Sequence, residues 1–110
     1  MAYSRTGEQY TLADKGRSCT HACSNIGMIC DAVGLKAIAI LSECERIIND
    51  VLMVSTGNTG DGTVDNLGCV YHDAHSGHAQ VLRKDGDPLC ETEGTSGNLP
   101  QKQRVCACSG

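Results

Sequence analysis

Eight cysteines set the terms on which this chain can fold: Cys19, Cys23, Cys30, Cys44, Cys69, Cys90, Cys106 and Cys108 stand in 110 residues that include no Trp, no Phe and three Tyr. Large aromatic rings each bury about 150 to 250 Å². With so few of them the interior must be filled by Ile, Leu, Val, Ala and half-cystines, and covalent staples become worth having. An even count allows four bridges in any of about a hundred connectivities. Each bridge closing tens of residues contributes about 3 to 4 kcal/mol in the chain-entropy picture. Disulfides persist where the surroundings are oxidising, so the expected setting is secreted, cell-surface or organelle-lumenal.

The first ten residues contain no apolar run of seven or more, and so no signal peptide. The expectation is a mature fragment whose leader has been removed and to which Met1 was added. The alternative is an intracellular chain whose cysteines are reduced or metal-bound. No stretch approaches the roughly 20 apolar residues of a spanning helix. The net charge is -4, and the nine Lys and Arg residues are scattered, from Arg5, Lys15 and Arg17 to Lys102 and Arg104. With neither a phosphate-neutralising patch nor stacking aromatics, nucleic-acid binding is excluded.

The length fits one domain. Residues 1–15 are polar and weakly patterned and read as a flexible N-terminal arm; residues 16–110 read as a single cysteine-rich domain. Ser18 is placed to cap a short helix over Cys19–Ile26, which Gly27 ends. Cys19 and Cys23 are four residues apart and share one face of that helix. Asp31 starts a stronger helical pattern running to Leu52, with Leu35, Ile38, Leu41, Cys44, Ile48, Val51 and Leu52 at steps of three and four. Its apolar arc, widened by Ile40 and Ile47, predicts one long amphipathic helix covered on more than one side.

From Gly57 to Gly62 the composition predicts a loop, and beyond it the period shortens. Leu67–His72, Ala79–Arg83 and Arg104–Cys108 read as strands, with a turn over Lys84–Pro88 leading to Leu89–Glu91. Cys106 and Cys108 share one face of the last strand, so they are expected to bridge to Cys19 and Cys23. The remaining cysteines are expected to pair Cys69 with Cys90 across the strands and Cys30 with Cys44. The predicted fold is a small disulfide-rich α+β domain, one long helix and a short helix packed on an irregular antiparallel sheet.

The run Gly16-Arg17-Ser18-Cys19-Thr20-His21-Ala22-Cys23 is followed by Gly27 and Cys30-Asp31, then by a helix with a fourth cysteine, Gly68-Cys69-Val70-Tyr71, Cys90, and the ending Arg104-Val105-Cys106-Ala107-Cys108. This order resembles the cysteine-rich C-terminal segment of the N-acetylglucosaminyltransferase V family, and similar free-standing modules in secreted algal and protist proteins. The resemblance spans roughly residues 16–108. It implies a lumenal or extracellular disulfide-bonded domain that is accessory to something else. The sugar-nucleotide chemistry of those transferases belongs mainly to a large domain absent here, so no catalytic residue carries over. The aromatic-rich middle of their segment is also missing.

Three groupings of side chains bear on chemistry. His72, His75 and His78, with Asp73, offer a tetrahedral ligand set in principle, but the interleaved Ser-Gly fits a hairpin connection better than a rigid metal site. Asn58, Asp61, Asp65 and Asn66 offer oxygens for calcium, yet the EF-hand order fails. Glu43 and Glu45 diverge on a helix rather than forming an acid-base pair. Gly-x-Ser-x-Gly, the phosphate loop and the redox Cys-x-x-Cys are all absent. The eight cysteines are therefore assigned to architecture, with no catalytic residue, cofactor or metal. The expected function is a non-catalytic structural or recognition module and accessory subunit, its partner a protein or larger assembly, with self-association or a glycan as further options. The alternative is a small metal-binding or hydrolytic protein built on the His72, His75 and His78 cluster.

Overall fold

In the computed structural model, which describes residues 4–5, 8–62, 66–72, 77–82, 86–93 and 102–110, the chain's last strand is the axis of the fold. The elements are β1 (Ser4–Arg5), β2 (Glu8–Leu12), α1 (Cys19–Asn25), β3 (Ile29–Cys30), α2 (Ala32–Ala37), α3 (Leu41–Arg46) running into a π-helical turn (Ile47–Val51), β4 (Asn58–Gly62), β5 (Gly68–His72), β6 (His78–Leu82) and β7 (Gln103–Ser109). Residues 104–108 of β7 are all buried, as expected of a strand covered on both faces. One edge of β7 carries β2; the other carries β5 near its start and β3 near its end. The sheet order is β1-β2-β7-β5-β6-β4.

Two expectations about the sheet are corrected. Residues 8–12, expected in a flexible arm, form β2, with Tyr10 opposite Ala107 and both side chains buried. The weak alternation of Glu-Gln-Tyr-Thr-Leu hides this, because the long-range partner β7 supplies the order. The stretch expected as a Gly-rich loop is β4, which pairs in parallel with β6, making the sheet mixed rather than antiparallel. As an outermost strand it is held by backbone pairing, which Gly and Asn can supply without side-chain packing.

The single long helix is also corrected. Asp31 does cap a helix, its Oδ1 accepting from the Val33 and Gly34 amides at 3.0 and 3.2 Å. That helix, α2, ends at Ala37, and Ile40 is extended at φ -128°, ψ 130° before α3 begins. A straight helix over residues 31–52 would run about 33 Å, equal to the longest dimension of the molecule. Breaking at residues 38–40 lets α2 lie on β7 and α3 on β6. The apolar positions of the pattern still face inward: Leu35, Ile38, Cys44, Ile47, Ile48 and Val51 are buried, and Ile40 at the break is 55% exposed.

All eight cysteines are bridged: Cys19–Cys106, Cys23–Cys108, Cys30–Cys90 and Cys44–Cys69. The first two follow from geometry. Four residues of α-helix advance about 6 Å and two residues of strand nearly 7 Å, so α1 laid along β7 can make both bonds in step. The expected Cys69–Cys90 and Cys30–Cys44 pairs are replaced. Cys69 lies on β5 beneath α3 and meets Cys44. Cys90 sits in a turn folded back on α1, where its carbonyl accepts from the Thr20 amide at 3.0 Å, and meets Cys30 on β3.

Candidate functional site

Alternation along β7 puts Arg104 on the same face as Cys106 and Cys108, and its side chain is fully buried. A guanidinium there needs oxygen acceptors, and the chain provides backbone carbonyls. Nε donates to Leu67 O at 3.1 Å, and Nη1 donates to Leu89 O at 2.6 Å and Thr92 O at 2.8 Å. Among the described residues Nη2 has no hydrogen-bond partner. Burial pushes the Arg104 pKa down to about 10, with the Glu91 carboxylate pulling it back up, so the group is charged at neutral pH. Burial also lowers the pKa of Lys102.

Arg104 therefore clasps two segments that have little regular structure of their own, the approach to β5 and residues 86–93. Gly68, next to the clasped Leu67, has φ +73°, and an added Cβ would stand 2.9 Å from the Pro88 side chain. The sequence reading missed this clasp. The available signal was an arginine in phase with two half-cystines on one strand, which marks its position as interior.

Among the described residues no group of three or more His, Cys, Asp or Glu side chains could hold a metal ion. His75 lies outside the described residues, and of His78 only the backbone is described. The β5–β6 register places His72 directly opposite His78. Of the calcium candidates, Asp65 lies outside the described residues, and Asn58 and Asp61 are described only as backbone of β4. Asn66 Oδ1 accepts from the Gly86 amide at 3.4 Å. Glu43 pairs with Arg46 at 2.9 Å along α3.

After the π-helical turn, an open hollow of about 370 Å³ is lined by Asn49, Met53, Val54, Ser55 and Thr56. Thr56 Oγ1 donates to Asn49 Oδ1 at 3.2 Å. Met53 is 77% exposed with φ 59°. Among the described residues its lining holds the Ser55 and Thr56 hydroxyls but no acid, base or thiol, so the hollow offers shape and hydrogen bonds, with no base beside a hydroxyl to activate it. Ile47 and Val51 are buried, whereas Ile26, Ile29, Val33, Ile40 and Leu89 are exposed. Among the described residues no helix is long and apolar enough to cross a membrane.

No protein-family model matches the chain, and a search of curated proteins finds no match either.

Proposed function

We propose that this chain is a non-catalytic, disulfide-stabilised structural or recognition module acting in an oxidising compartment as an accessory to a larger assembly. The observation that carries the reading is the state of the cysteines: every one is in a bridge and none is free. The residue type best suited to nucleophilic or metal chemistry is thus wholly committed to architecture. Arg104, the most buried charge among the described residues, is likewise occupied in holding backbone. The exposed apolar residues 26, 29 and 33, spread from the end of α1 to the start of α2, support a recognition role. The resemblance to the cysteine-rich segment of the N-acetylglucosaminyltransferase V family agrees with an accessory role in a secretory lumen or outside the cell.

The test is a thiol count on protein isolated without reductant, by alkylation under denaturing conditions. No modified cysteine is expected; eight would overturn the reading. The facing positions of His72 and His78 favour a second reading, metal binding or hydrolysis through His72, His75 and His78. Metal analysis after dialysis decides it, since stoichiometric zinc would replace the structural account.

A further inference from the structure

The four bridges differ sharply in exposure. Cys19, Cys23, Cys44, Cys106 and Cys108 are fully buried and Cys69 is 2% exposed. Cys30 and Cys90 are only partly buried and pack at the margin of the core. Exchange requires a thiolate to reach a bridge sulfur, so access ranks the bridges before any other property does.

The two ends of the exposed bridge also keep their places without it. Cys30 lies on β3, which pairs with β7 through Ile29 opposite Ser109 and Cys30 opposite Cys108. Cys90 lies in the 86–93 segment, which has its own ties. Arg104 holds Leu89 O and Thr92 O, Thr20 N–H donates to Cys90 O, Gly86 N–H donates to Asn66, and Asp87 pairs with Lys36 at 3.6 Å. None of these contacts runs through β3. By contrast, Cys19–Cys106 and Cys23–Cys108 pin α1 to the central strand, and Cys44–Cys69 pins α3 to β5, all inside the core.

We propose that the Cys30–Cys90 bridge is a thiol–disulfide exchange site, opened by dithiol reductants ahead of the other three bridges, and that its opening frees the 86–93 segment from β3 while the fold persists. One thiolate of the dithiol attacks a sulfur of the bridge; the S–S bond breaks, and the other sulfur leaves as a thiolate and takes a proton from water. The second thiol of the reductant then displaces the mixed disulfide. Cys30 and Cys90 end as thiols, the reductant ends as a cyclic disulfide, and two electrons have passed to the bridge. Any later oxidant of the dithiol can close it again, because the separate anchors keep both cysteines near their places.

The experiment treats the intact native protein with limiting dithiothreitol, quenches with iodoacetamide at intervals, and locates the modified cysteines by peptide mass. Cys30 and Cys90 should be modified about tenfold or more faster than the other six, in line with their access. A doubly alkylated species should accumulate with native far-UV circular dichroism. Another pair reacting first, or all eight cysteines reacting together, overturns the proposal. A Cys30→Ser/Cys90→Ser variant should lack the early phase and keep the slow one, and an early phase surviving in it would equally overturn the proposal. Should that variant fail to fold, the order of modification in the unaltered chain decides alone.

Discussion

Arg104 shows how one residue can settle the placement of two loops. Its guanidinium is worth having inside only because three carbonyls meet it, and removing it would leave those carbonyls unpaired in the interior. Arg104→Met should therefore destabilise the chain by about 2 to 4 kcal/mol, at roughly 1 to 3 kcal/mol for each buried group left unpaired and with partial relaxation, as read by urea denaturation. Arg104→Lys should recover little of this, because a point ammonium cannot span carbonyls that a planar fork reaches. The folded-state pKa of about 10 lies below the ordinary guanidinium value, which the unfolded chain keeps. Between those values the unfolded chain holds more protons, so stability linked to this group rises only above pH 10. From pH 6 to 9 it should add no slope to the stability curve, and a slope lost on mutation there would contradict the assignment. Gly68→Ala should also cost well over about 1 kcal/mol, as the positive φ and the contact with Pro88 both oppose a side chain, measurable in the same titration.

At the scale of elements, α1 and β7 were readable in the sequence because their signals are local. Ser18 accepts from the His21 amide at 3.1 Å, Gly27 turns the chain with φ +72°, and the cysteine spacings of four and two match the advance of helix and strand. What the sequence hid depends on distant partners. Nothing in Ile38-Ala39-Ile40 announces a break; it follows from where α2 and α3 find sheet to cover. Nothing in Asn58–Gly62 announces a strand until β6 lies beside it. The pairing of Cys69 with Cys44 depends on that same break, since it places α3 over β5. The two α1–β7 bridges also share one large loop, with sequence separations of 87 and 85. Once either is formed, the other closes only a ring of a few residues. Removing one pair by Ser substitution should cost about 2 kcal/mol, whereas removing both should cost about 5 kcal/mol or more. Equal, additive losses in denaturant titrations would show that the bridges act independently.

For the whole molecule, a mainly aliphatic core that includes the buried Tyr10 is enclosed by a sheet whose central strand is bolted to one helix, with a second helix fastened to the neighbouring strand and a carbonyl clasp under the remaining loop. Its stability should follow its oxidation state: full reduction under native conditions should abolish the cooperative urea transition, and a persisting transition would mean that the aliphatic core suffices. The measurement that addresses this architecture most directly is a tryptic digest of unreduced protein with mass mapping of linked peptides. The four bridges require that residues 18–36, 85–102 and 105–110 travel as one linked species and residues 37–46 and 47–83 as another. Finding 37–46 joined to 18–36 and 47–83 joined to 85–102, or finding all five peptides separate with free thiols, would contradict it.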